Sequence, residues 1–280
     1  MLPWISAHAL LAEIDNPDWV VIDTRYALQN EAYGREAWAQ AHIPGAQFLD
    51  IGHDLSGPPG ISGGRHPLPD PATLAARLGA CGIGSETHVV VYDDAANMFA
   101  GRLWWLLRWL GHTQVQVLDG GLPAWLAAGY PLTDAVLTPT PATFTVHLRS
   151  ELLAPLAEIR TRYNDPALTL VDARARERYL GLQEPLDPRA GHIPGALNRP
   201  FSANLQDGHF KSPEQLRAEF TALGLTETQD LVAYCGSGVS ANHVLMALEA
   251  AGITGARLYP GSWSEWSADP DLPCATGEEA

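Results

Sequence analysis

The chain has 280 residues, 46% of them hydrophobic, enough to fill two cores of ordinary domain size. With 17 basic against 32 acidic residues the formal net charge is −15, which makes nucleic acid and anionic membrane surfaces poor partners. Three cysteines, Cys81, Cys235 and Cys274, form no CxxC and cannot all pair, so they indicate a reducing compartment rather than a disulfide framework, and no metal site is expected.

Along the chain, strand-like runs alternate with helical patterns. Met1-Leu2-Pro3-Trp4-Ile5-Ser6 has neither a basic region nor a long apolar stretch, so no signal peptide is expected. Apolar spacing predicts a helix over 6–14, a strand over 20–22, a helix over 71–78, a strand over 89–92, a helix over 101–110 and a strand over 115–118. The apolar patch at 103–110 is interrupted by Arg108 and too short to span a bilayer, and the expected location is cytoplasmic. Between the first strand and the second helix, 56–70 is a proline- and glycine-rich loop of a length usually kept for function. The stretch 130–146 carries three prolines and few helical signals, and reads as a linker. Beyond it come a helix over 152–163, strands over 170–172, 231–234 and 256–259, and helices over 213–223 and 241–251. The alternation predicts α/β units around parallel sheets.

The second half repeats the first. His42-Ile43-Pro44-Gly45-Ala46 recurs as His192-Ile193-Pro194-Gly195-Ala196, each after a strand-like run ending in an acid, Asp23 or Asp172. Val89-Val90-Val91-Tyr92-Asp93 lines up with Leu231-Val232-Ala233-Tyr234-Cys235, and Leu122-Pro123-Ala124-Trp125 with Trp263-Ser264-Glu265-Trp266. Asp93 thus stands where the second copy has Cys235, and a carboxylate cannot accept and pass on a sulfur atom. Asp172, facing the HIPGA turn, reads as a structural acid that caps backbone donors.

Cys235 opens the heptapeptide Cys235-Gly236-Ser237-Gly238-Val239-Ser240-Ala241, at the end of a strand and before a helix. There the backbone N–H groups of a glycine-rich loop and the positive end of a helix dipole converge on one sulfur and favour negative charge. A packed core cysteine would not need glycines on both sides of Ser237. Ser237 and Ser240 add hydroxyls that can donate to the sulfur or the departing group, or serve as turn and N-cap residues. The residue six beyond Cys235 is Ala241, so the arginine that grips phosphate in cysteine phosphatases is missing.

These features, with Gly63-Gly64-Arg65-His66-Pro67-Leu68-Pro69 and Leu258-Tyr259-Pro260-Gly261-Ser262-Trp263, resemble the tandem-domain sulfurtransferases of the rhodanese family over nearly the whole chain. The resemblance implies two tandem rhodanese-like α/β domains, each a parallel sheet flanked by helices: a non-catalytic domain over 1–132, a linker over 133–147 and a catalytic domain over 148–280, with the site between them. It implies a sulfurtransferase without a cofactor, moving a sulfane sulfur through a Cys235 persulfide held by the amides of 236–241. The partners are then a small anionic donor and a thiol acceptor such as a reduced dithiol protein, or cyanide. Arg178, in Arg178-Tyr179-Leu180-Gly181, takes the family position of a substrate-binding arginine. Arg189 is a second candidate cation, with its spacing altered by the insertion at Leu186-Asp187-Pro188. In the family the loop at 56–70 leans toward the active site, which gives Arg65 and His66 a role in binding the anion or shuttling a proton. Gly52 stands where many relatives have an acid, so an acid–histidine–serine relay is not carried over. The neutral Gly236-Ser237-Gly238 favours 3-mercaptopyruvate as donor, because thiosulfate enzymes often carry basic residues after the cysteine. Thiosulfate:cyanide transfer by the same mechanism is the alternative, and a non-catalytic sulfur carrier is a further one.

Overall fold

In the computed structural model, which describes all residues except Pro59, Ile61, Thr228, Glu279 and Ala280, the chain divides into two units. One takes Met1–Gly57 and Pro69–Arg149, the other Pro58–Leu68 and Ser150–Ala280. The segment 58–68, expected in the first domain, groups with the second unit, and 133–147, expected to join the halves, groups with the first. Backbone bonds fasten that stretch within the first unit: Ala142 N–H donates to Gly79 O, and His147 N–H to Leu110 O, both at 2.9 Å.

The first unit runs β1 (Trp4–Ile5), α1 (Ala7–Ala12), β2 (Trp19–Asp23), α2 (Tyr33–Gln40), β3 (Gln47–Phe48), α3 (Pro71–Ala80), β4 (His88–Tyr92), α4 (Ala100–Trp109), β5 (Val115–Leu118) and α5 (Gly121–Ala127). Its sheet has the order β1-β5-β4-β2-β3 and every pairing is parallel. From Val89 to Tyr92, β4 is buried at every position, as a central strand covered by helices on both faces must be. The helices α1 and α3 begin where side chains satisfy their first amides. Asp70 accepts the Thr73 N–H at 2.8 Å ahead of Pro71, and Ser6 accepts the Ala9 N–H at 3.2 Å.

The second unit runs α6 (Leu156–Arg162), β6 (Leu168–Asp172), α7 (Arg176–Tyr179), β7 (Leu197–Asn198), β8 (Leu205–Gln206), β9 (His209–Phe210), α8 (Pro213–Ala222), β10 (Asp230–Tyr234), α9 (Ala241–Ala250), β11 (Arg257–Leu258) and α10 (Ser262–Trp266). The parallel sheet order is β11-β10-β6-β7, and β8 and β9 form a separate antiparallel hairpin. Ser212 and Gln215 close a capping box at the start of α8.

The internal repeat is exact enough to fix register: Asp23 lies beside Tyr92 as Asp172 lies beside Tyr234. Arg25 Nη2 donates to Ala41 O at 2.7 Å, and Arg174 Nη2 to Gly191 O at 2.6 Å, just before each HIPGA turn. The tyrosine hydroxyls accept the N–H of Ile43 and Ile193 at 3.3 and 3.1 Å. Each core holds a fully buried tryptophan whose indole N–H finds a carbonyl, Trp125 to Pro131 at 2.9 Å and Trp266 to Pro273 at 2.7 Å. Among the described residues no helix is long and apolar enough to cross a membrane.

Candidate active site

Cys235 follows β10 directly and is 1% exposed. Its N–H donates to Ser262 Oγ at 3.1 Å, and its carbonyl and that of Gly236 accept the N–H groups of Trp263 and Ser264, both at 2.9 Å. The base of the loop is thereby clamped to the first turn of α10. The loop turns at Gly238, where φ is +72° and an added Cβ would stand 2.3 Å from Pro260 O, so only glycine fits. Asn242 Nδ2 closes the far side by donating to Gly238 O at 3.0 Å and Val239 O at 2.9 Å. Val239, Ser240 and Ala241 lead into α9. Ser240 occupies the N-cap without a side-chain cap bond.

Residues 63–65 are held against the same region of the second unit, to which they belong. Gly63 N–H donates to Glu265 Oε1 at 2.6 Å and Arg65 N–H to Ser264 Oγ at 3.1 Å. At Gly64, with φ +69°, an added Cβ would meet Ser264 Oγ at 2.3 Å and Gly261 O at 2.4 Å, so the backbone approaches α10 with no room for a side chain. This places His66 Nδ1 2.8 Å from Ser237 Oγ, with His66 7% and Ser237 6% exposed.

Two arginines converge above Gly236, where an added Cβ would lie 3.1 Å from Arg65 Nη2 and 3.3 Å from Arg178 Nη1. Arg178, on α7, forks onto Glu184 at 2.7 and 3.3 Å and reaches Asp187 Oδ2 at 3.0 Å. Arg65 pairs with the other oxygen of Asp187. Burial and the neighbouring Arg178 charge push the Arg65 guanidinium below its ordinary value, and Cys235 pulls it the other way.

Arg189 differs from the expected substrate-binding role. Its guanidinium donates to the carbonyls of Ser267, Leu272, Trp266 and Asp269 at 2.8, 2.7, 3.0 and 2.5 Å, so it fastens the chain after α10 instead of offering its fork to a donor anion. Asp172 is held by Arg174, whose Nε lies 3.0 Å from each carboxylate oxygen, and by the Arg174 N–H at 2.9 Å.

The corresponding loop of the first unit closes around a side-chain carboxyl group. Asp93 is fully buried, and its carboxylate accepts four backbone N–H groups: Ala95 at 2.9 Å, Asn97 at 2.8 Å, Phe99 at 2.7 Å and Ala100 at 2.9 Å. Burial pushes this carboxyl above the usual range, while the four amides pull it down. A carboxylate oxygen stands two bonds from Cβ, as does the terminal sulfur of a cysteine persulfide. The Asp93 loop therefore displays, in oxygen, the cradle that Cys235 would need for a sulfur anion.

Glu184, Asp187, Ser262, Ser264 and Glu265 were not singled out for chemistry from the sequence. For the last three a signal existed, since they lie in the repeated segment around Trp263 and Trp266. Among the described residues no group of three or more His, Cys, Asp or Glu could hold a metal ion.

The second unit thus brings together a buried cysteine at a strand-to-helix loop, a serine–histidine pair and two arginines, groups of the kind that nucleophilic catalysis uses. A family model of the rhodanese-like domain matches twice, over residues 6–128 and 155–269. A protein of Pseudomonas aeruginosa named "Probable 3-mercaptopyruvate sulfurtransferase" is 49% identical over 98% of this chain and 98% of its own. The thiosulfate sulfurtransferase of Bos taurus is 36% identical over 94% of this chain and 89% of its own. The crystal structure of SseA from Escherichia coli, described as a 3-mercaptopyruvate sulfotransferase with the rhodanese fold, superposes with a TM-score of 0.83 at 30% identity, covering 94% of this chain and all of that one. The chain belongs to the rhodanese family and is a sulfurtransferase.

Proposed function

We propose that the enzyme takes sulfur from 3-mercaptopyruvate onto Cys235 and passes it to a thiol or to cyanide. The observation that carries this reading is the pair of matching loops, one closing four amides on the Asp93 carboxylate and the other presenting Cys235 at the same place. In the first half-reaction the Cys235 thiolate attacks the donor sulfur and the carbon–sulfur bond breaks. Its electrons leave into the donor's enolate, which takes up a proton as pyruvate. The persulfide remains as the covalent intermediate, its terminal sulfur facing the amides of 236–241. A second nucleophile then attacks that sulfur and releases the Cys235 thiolate, so the kinetics are double displacement.

Ser237 and His66 supply the enolate proton, a role that their 2.8 Å hydrogen-bond contact supports. Arg178 and Arg65 bind the donor carboxylate. The acceptor is a reduced dithiol protein in the cytoplasm, where the free Cys81, Cys235 and Cys274 stay reduced. The absence of a cation within Gly236-Ser237-Gly238 supports mercaptopyruvate over thiosulfate, which carries two charges close to the sulfur under attack.

The test is kcat/KM for 3-mercaptopyruvate and for thiosulfate, each with cyanide and with a reduced dithiol protein. A preference for mercaptopyruvate of about tenfold or more, worth about 1.4 kcal/mol, is expected. A preference for thiosulfate would overturn the donor assignment.

A further inference from the structure

The two arginines above the Cys235 loop already carry carboxylate partners. Between them stands Asp187, its side chain 2% exposed, with one oxygen 3.0 Å from Arg178 Nη2 and the other paired to Arg65. Its neighbour Glu184 has a different situation. Glu184 forks onto Arg178, touches Arg174 at 3.3 Å, and accepts the N–H groups of Leu186 and Asp187 at 3.1 and 3.2 Å. Glu184 thus shapes the segment 184–187, whereas the Asp187 carboxylate bonds to the two arginines alone among the described residues.

We infer that Asp187 is a positioning residue that sets which donor charge the site accepts, by holding an internal negative charge on the two arginines that flank Gly236. Arg65, Arg174 and Arg178 face Asp172, Glu184 and Asp187, three cations against three anions, so the site offers an incoming anion little net attraction. Coulomb repulsion from Asp187 grows in proportion to the donor's charge. It leaves a neutral reagent untouched, weakens a monoanion by some factor, and weakens a dianion by about that factor squared. Asp187 therefore works against thiosulfate more than against mercaptopyruvate, which reinforces at the arginines the discrimination begun by the neutral loop.

The inference rests on Cys235 being the reactive centre, and the test reads that residue without requiring sulfur transfer. The full chain is alkylated with anionic iodoacetate and with neutral iodoacetamide, and the rate at the Cys235 peptide is followed by mass spectrometry. Asp187→Asn and Asp187→Ser should each raise the iodoacetate-to-iodoacetamide rate ratio about threefold or more, and raise the thiosulfate-to-mercaptopyruvate ratio of kcat/KM in the same direction. Asp187→Glu, which keeps the charge, should retain the wild-type ratios. Thermal melting of each variant separates a lost fold, which would bring the ratio to that of a free cysteine, from a changed charge in an intact site. Ratios that stay at the wild-type value or fall in the Asn and Ser variants would show that Asp187 only props the arginines, and would overturn the inference. A Cys235 that neither reagent modifies would count against the sulfurtransferase site itself.

Discussion

At the scale of single residues, the three cysteines are separated by their surroundings. Burial pushes the Cys81 thiol up to about 11 and also raises Cys274 above its ordinary value, so both are held toward the unreactive thiol form. Neither has an amide loop. Arg178 is the cation whose loss should be felt most, because its guanidinium lies over Gly236 on a helix that the fold holds in place. Arg178→Ala is expected to lower kcat/KM for an anionic donor by about 10- to 100-fold, roughly 1.4–2.8 kcal/mol, without changing the melting temperature by more than a few degrees. Arg178→Lys should recover only part, since a point charge cannot fork onto a carboxylate. Steady-state kinetics with both donors checks this, and unchanged donor kinetics in the alanine variant would remove Arg178 from the site.

At the scale of elements, the loop between β10 and α9 is held by contacts that tolerate little. Gly238→Ala would put a methyl group against Pro260 O at a backbone angle that L residues avoid, which should cost about 1–3 kcal/mol and cut transfer severely. Thermal melting together with single-turnover transfer would show both effects, and a variant with wild-type values would contradict this geometry.

A second prediction concerns α6. Hydrogen bonds from Arg257, with Arg162 adding to them, hold the Glu158 carboxyl below its ordinary value of 4.5, and they tie α6 to β10 and β11 through Asp230. Because the folded value is the depressed one, this stabilisation is present above pH 4.5 and is lost as pH falls through the folded value. Glu158→Gln should therefore melt below the wild type at pH 7, by an amount corresponding to about 0.5–1 kcal/mol for such a half-exposed network, and the gap should close in acid. A gap independent of pH would show that packing, not charge, is responsible.

The elements also show what could be read in advance. The long buried elements β4, β10, α3, α4, α8 and α9 announce themselves through apolar spacing, and α3 and α8 also through their caps. The helix α2 does not, because its inward stripe is only Tyr33, Gly34, Ala37 and Trp38, of which Gly34 alone is buried, and no side chain caps its start. Nor does α10, which starts at Ser262 with a φ of +55° and runs for five residues. β1, β3 and β7 are two residues long, too short for any alternation to register.

At the scale of the whole molecule, one α/β plan is written twice and differs at the decisive position. The Asp93 carboxylate accepts four amides of its own loop, whereas the second copy has Cys235 at the equivalent position. That contrast was legible in the aligned repeats, as was the meeting of Cys235 with Ser237, His66 and Arg178 through the motifs around them. The carboxylates on the arginines were not legible. Glu184 and Asp187 lie in a proline-flanked stretch that reads as solvated loop, and only the fold buries their side chains to 4% and 2% exposure. Arg189 was legible as a cation but not as a structural one, since the carbonyls it binds lie about 80 residues further along the chain.

The central claim is that Cys235 carries the sulfur covalently between two half-reactions. Its most direct test is mass spectrometry of the full chain after exposure to 3-mercaptopyruvate with no acceptor present. One added sulfur atom should appear on the peptide containing Cys235 and disappear when cyanide is added. It should be absent in Cys235→Ser and retained in Cys81→Ser and Cys274→Ser. Sulfur found mainly on Cys81 or Cys274, or full transfer activity in Cys235→Ser, would contradict the account.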